Sequence, residues 1–160
     1  MGTDEDDSYC DIPLAFPVQM YSKTDNTLHA STNGYVSIFS GSSQYQIYQA
    51  GPLPNTHIPN NTVLPYGSDL YLYGSSYPPQ GIFYQTGLTN VTLEYYLGRY
   101  QSNGTYHFTV AYDLTKPGIF VYTYYTVGGS SDNGALGVVG TQGSESVSYT
   151  HLTLPTKRIV

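Results

Sequence analysis

Four histidines, eleven carboxylates and one cysteine are the proton carriers and metal ligands to weigh first in this 160-residue sequence, with serine and threonine hydroxyls as further nucleophiles. Nucleophilic catalysis needs a base within hydrogen-bond reach of a hydroxyl or thiol. His107 and Asp113 alternate on one face of an extended pattern, which at strand rise separates them by about 20 Å, so they do not form a relay. His29 and His57 have no partner at a diagnostic spacing, and the chain contains no Gly-x-Ser-x-Gly elbow. Each histidine is therefore expected to be a solvated or hydrogen-bonded surface residue. Glycoside hydrolysis requires two carboxylates across a cleft at roughly 5 to 10 Å. Asp69, Glu94, Asp113 and Asp132 are the candidates, but no spacing pairs them. Asp69, between Gly67-Ser68 and Leu70-Tyr71-Leu72, reads as a turn or strand-edge residue accepting from backbone N–H groups. No catalytic residues, no enzymatic activity and no cofactor are expected.

Binding chemistry is better represented. Oxygen donors outnumber soft ligands, so calcium is the ion to consider, and Asp132-Asn133 with Ser130 and Ser131 is the loop to hold it; a plain Asx turn explains the same residues. Nineteen tyrosines stand against five phenylalanines and no tryptophan. Tyr71, Tyr73 and Tyr77, beside Pro78-Pro79, are candidates for a platform on which sugar rings stack. The competing reading is that tyrosine fills the core and covers strand edges in the absence of tryptophan. Asn60, Asn90 and Asn103 each begin an Asn-x-Ser/Thr triplet and are candidate glycan acceptors. Cys10 excludes a disulfide within the chain. It is either a buried or inert thiol or half of a bridge to sequence outside this one.

These residues must be positioned by strands. Val, Ile, Thr, Tyr and Phe supply 60 of the 160 residues, whereas Ala supplies 5 and Glu 3, so strand formers are abundant and helix formers scarce. Tyr106, Phe108, Val110, Tyr112 and Leu114 alternate with His107, Thr109, Ala111 and Asp113, and Val91, Leu93, Tyr95 and Leu97 alternate in the same way. Ser102-Asn103-Gly104 between them reads as the turn of a hairpin. Ile119–Val127 is apolar enough to suit a central strand covered on both faces. Leu14–Tyr21, Gly34–Phe39, Leu64–Tyr73, Gly81–Gln85 and Ala135–Gly140 complete about eight strands, with residues 40–62 as a long loop. The fold class expected is all-β, a two-layer antiparallel β-sandwich.

One domain, 9–146, is expected, preceded by a disordered acidic leader at 1–8. Residues 147–160 differ in composition and resemble the product of a reading frame that runs on into adapter sequence; they are expected to be a dispensable, non-native tail. Only 10% of residues are charged and the formal net charge is −6. No basic surface for nucleic acid is therefore encoded, and no apolar stretch reaches the roughly 20 residues of a membrane helix.

The order of several short segments resembles a known family. Phe16-Pro17-Val18 with Tyr21, Ser31-Thr32-Asn33-Gly34-Tyr35-Val36-Ser37, Leu53-Pro54-Asn55 with Ile58-Pro59, and Leu64-Pro65-Tyr66-Gly67-Ser68-Asp69-Leu70 follow one another as in NIDO-type extracellular β-sandwich modules. Gly81-Ile82-Phe83-Tyr84, Gly118-Ile119-Phe120-Val121-Tyr122 and Gly137-Val138-Val139-Gly140 extend the likeness over residues 12–141. The chain departs from it in lacking the aromatic-Trp-Asp run usual before the strand at Leu70. The resemblance implies a secreted or cell-surface, noncatalytic module of adhesion or matrix recognition within a longer protein, and it transfers no binding residues. The expected partner is an extracellular protein or a neutral glycan, with neighbouring domains of the same protein. A carbohydrate-binding module attached to a secreted enzyme is the alternative.

Overall fold

A computed structural model describes residues 3–38, 52–76, 78–128 and 137–143, with the Asn103 side chain excepted. It is a two-layer antiparallel sandwich of two five-stranded sheets. In chain order the strands are β1 (Tyr9–Met20), β2 (Lys23–Ser31), β3 (Tyr35–Ser37), β4 (Thr62–Gly67), β5 (Leu70–Tyr71), β6 (Gly81–Thr86), β7 (Asn90–Arg99), β8 (Ser102–Asp113), β9 (Phe120–Val127) and β10 (Val138–Gln142). One sheet runs β1-β2-β3-β4-β10; the other runs β5-β7-β8-β9, with β6 also paired to β7. No helix is long and apolar enough to cross a membrane among the described residues.

The core is built by period-two alternation. Ile12, Leu14, Phe16, Val18 and Met20 of β1 are buried while the residues between them are exposed. Facing them are Val91, Leu93, Tyr95 and Leu97 of β7 and Tyr106, Phe108, Val110 and Tyr112 of β8, as the alternation predicted. Pro13 and Pro17 lack a backbone donor, and both sit on β1, an edge strand, with their rings exposed. Tyrosine hydroxyls then tie one sheet to the other. Tyr95 donates to the Tyr35 carbonyl at 3.0 Å, Tyr124 to that of Pro65 at 2.5 Å, Tyr122 to that of Gly140 at 3.3 Å, and Tyr112 accepts from the Gln19 N–H at 3.0 Å. Each hydroxyl thus meets the bonding demand of a backbone group in the facing sheet, while the Tyr95 and Tyr112 rings also fill the core and Tyr124 stays partly exposed.

Several elements differ from expectation. β2 is a full strand, hidden in the sequence because its first half, Lys23 to Thr27, carries no apolar residue. β9 is an edge strand with most of its residues exposed, not a covered central one. The β7–β8 reversal lies at Tyr100-Gln101, where Arg99 pairs with Ser102 and Gln101 adopts φ 53°, and Asn103-Gly104 falls inside β8. Residues 64–73 divide into β4 and β5 at Ser68-Asp69. The segment read as a disordered leader is held from residue 4 onward: Glu5 bridges Leu72 through two 3.0 Å backbone bonds, and Ser8 N–H donates to Thr32 Oγ1. The calcium candidates Asp132 and Asn133, the side chain of Tyr77 and the tail at 147–160 lie outside the described residues.

Candidate functional site

Beside β5, a cleft of about 440 Å³ opens against the β7–β8 reversal. Tyr73 is fixed at both ends: its N–H donates to Gln80 Oε1 at 2.8 Å and its hydroxyl to the Arg99 carbonyl at 3.0 Å. Its ring lies over Gly98, where an added Cβ would stand 2.7 Å from the ring edge, so a glycine in β7 is what admits it. Gln80 is placed in turn by Ser76, whose Oγ accepts the Gln80 N–H at 3.0 Å. Gln101, Ser102 and Thr105 also line the cleft. Among the described residues every lining side chain is neutral, and amides and hydroxyls dominate the polar ones.

Of the three platform tyrosines, the structure brings Tyr71 and Tyr73 together, with ring centroids 4.5 Å apart and planes tilted by 50°. It adds Tyr100, 5.5 Å from Tyr71. Tyr100 escaped the sequence reading because it belongs to a reversal predicted three residues later. The rings are tilted to one another and do not form a coplanar shelf. A second aromatic strip crosses the outer face of the same sheet: His107 lies edge-on to Tyr96 at 5.3 Å and against Tyr125 at 4.5 Å.

Two of the histidines expected to be solvated or hydrogen-bonded surface residues, His29 and His107, are paired with carboxylates. His107 Nε2 is 2.7 Å from Glu94 Oε1 on the neighbouring strand, and His29 Nδ1 is 2.7 Å from Asp11 Oδ1. Neither imidazole is bonded to a hydroxyl or thiol among the described residues, so no nucleophile–base pair is present there. Asp113 does not meet His107. Its carboxylate closes an Asx turn onto the Thr115 N–H and hydroxyl, which holds the group below the usual carboxylate range.

Asp69 was expected to accept from backbone N–H groups; no such bond to its carboxylate occurs among the described residues. It lies instead with Asp6 and Asp7, one oxygen of each within 4.8 Å of the others. Partial burial, then the Asp6 and Asp7 charges, push Asp69 up, against a smaller downward pull from Arg99; partial burial and Asp7 push Asp6 up. Arg99 Nε is buried without a hydrogen-bond partner among the described residues. Cys10 is exposed, and its thiol is held up by partial burial and by Asp11, which keeps it from the thiolate form. Asn60 and Asn90 are both exposed.

A family model described as NIDO related matches residues 1–158. Comparison with curated proteins gives no match, and comparison with solved structures gives none.

Proposed function

We propose, from the premise that the chain belongs to the NIDO-related family, that it is a noncatalytic extracellular recognition module whose cleft beside Tyr73 takes a neutral glycan. The observation that carries this reading is the lining: a fixed tyrosine ring next to glutamine amides and serine and threonine hydroxyls, with no charged side chain. A sugar presents an apolar ring face together with hydroxyls that both donate and accept. A tyrosine ring and carboxamides match those two demands. Adhesion or matrix recognition through cell-surface sugars is the role that fits such a site. Asn60 and Asn90, exposed and each opening an acceptor triplet, fit an extracellular protein that carries glycans of its own.

The test is a neutral-glycan array probed with the full chain, followed by titration of the best ligand against variants. Gln101→Gly suits the left-handed backbone at that position while removing one lining amide, so a loss of binding with an unchanged melting temperature supports the cleft. Tyr73→Ala should remove binding altogether. Undiminished binding by both variants places the ligand elsewhere.

A protein partner is the second reading, favoured by the open side of β9. Ile119, Val121, Tyr125 and Val127 are all exposed along and beside this edge strand, and such an edge offers backbone groups together with apolar side chains. Val121→Lys should weaken a protein contact there and leave glycan binding in the cleft intact.

A further inference from the structure

We propose that Asp6, Asp7, Asp69 and Asn33 form a calcium site that fastens the start of the chain to the turn between β4 and β5. Three segments distant in sequence meet here. The N-terminal stretch brings Asp6 and Asp7, the β2–β3 turn brings Asn33, and the β4–β5 turn brings Asp69. Ser68 N–H donates to the Asn33 carbonyl at 3.1 Å, which sets the two turns against each other. One oxygen from each aspartate lies within 4.8 Å of the other two. Calcium binds oxygen at about 2.3 to 2.6 Å, so ligands of one ion stand up to about 5 Å apart, and the three carboxylates already satisfy that limit.

Acidic residues gathered on a surface are common, and the independent observation is Asn33. Its side chain is fully buried, its Nδ2 donates to Asp7 Oδ1 at 2.7 Å, and its Oδ1 is buried with no partner among the described residues. A buried carbonyl oxygen left without a donor costs about 1 to 3 kcal/mol. The oxygen and nitrogen of a carboxamide are about 2.3 Å apart, so this orphaned oxygen lies within about 5 Å of the Asp7 carboxylate. Turning the carboxamide over gives no relief, because Oδ1 would then face Asp7 Oδ1, acceptor against acceptor. With Nδ2 bonded to Asp7, a cation among the carboxylates supplies the positive partner that Oδ1 lacks and removes the repulsion among the three acids. Hard oxygen ligands from carboxylates and a carboxamide, drawn from three separate segments, suit calcium better than the strict octahedron of magnesium.

The experiment uses the full chain freed of metal by chelation, then titrated with calcium chloride and followed by thermal melting and calorimetry at constant ionic strength. Magnesium chloride is the comparison. Affinity should fall in the range of extracellular modules, about 0.1 to 1 mM, and at ten times the dissociation constant the melting temperature should rise by about 4 °C. Asp69→Asn should melt above the wild type in chelator, since one of three like charges is gone, yet lose at least tenfold in calcium affinity. Asp6→Asn, at an exposed position, should show the same crossover and guards against a folding defect in the first variant. No calcium-dependent shift in the wild type up to about 10 mM, or an undiminished shift in both variants, overturns the proposal, as does an equal response to magnesium.

Discussion

At the scale of single residues, the hydroxyls of Tyr95, Tyr122 and Tyr124 are set against backbone carbonyls between the sheets, and each must be protonated to donate. Burial raises all three: Tyr124 is pushed up to about 12, and Tyr95 and Tyr122 are also displaced upward. A folded-state value above the unfolded one means that the bonds contribute fully below about pH 10 and are lost as pH rises through the folded values. The urea midpoint of unfolding should therefore fall steeply above pH 10. Tyr122→Phe and Tyr124→Phe should each make that fall shallower, and an alkaline limb unchanged in the double variant would mean that these hydroxyls are not the titrating groups. Tyr95→Phe removes the donor to the buried Tyr35 carbonyl, and a cost of about 1 to 3 kcal/mol at neutral pH is expected from chemical denaturation. The abundance of tyrosine was legible in the sequence. Its use as inter-sheet ties was not, because each tie joins a hydroxyl to a backbone group from 18 to 93 residues away, a pairing that composition does not encode.

At the scale of elements, what alternation could read was placed correctly and what needed sheet order was not. Phe108 is fully buried and its neighbour Thr109 faces the other way, as the period of two requires. Phe108→Ala should then cost about 3 to 5 kcal/mol against roughly 0.5 kcal/mol for Thr109→Ala, and equal costs would contradict the register. β9 misled because a run of Val, Tyr and Thr suits either a covered strand or an edge with one apolar side. Only the pairing partners separate the two. The Asn103-Gly104 dipeptide misled for a related reason: the reversal three residues earlier is accommodated by Gln101 in the left-handed region, a conformation that a glutamine in sequence does not advertise. Gly34 is a clearer case of backbone necessity. Its φ is +73° and an added Cβ would lie 2.0 Å from the Tyr66 carbonyl oxygen. Gly34→Ala should lose more than about 2 kcal/mol by forcing the β2–β3 turn off β4, and it should also displace Asn33, the adjacent residue of the calcium site.

At the scale of the whole molecule, the charge distribution decides what kind of ligand is accessible. The chain carries five basic residues against eleven acidic ones, and the acidic groups near the cleft, Asp4 to Asp7 and Asp69, repel anions from that end of the sandwich. Arg99 contributes its backbone carbonyl to Tyr73, and the charge of its side chain acts on Asp69, lowering it. Phosphate and sulfated glycans, whose capture depends on clustered Lys and Arg and on counterion release, have no matching surface among the described residues. A neutral sugar stacked on Tyr73 is indifferent to this field. Its dissociation constant should change less than about twofold between roughly 50 and 300 mM sodium chloride, since screening acts on charges and not on ring contacts or amide bonds. Measured by calorimetry on the full chain, that flat response separates the neutral-glycan reading from electrostatic capture. A sulfated or phosphorylated ligand whose affinity collapses over the same range would show that recognition uses a charged surface instead, and the cleft beside Tyr73 would not be the binding site.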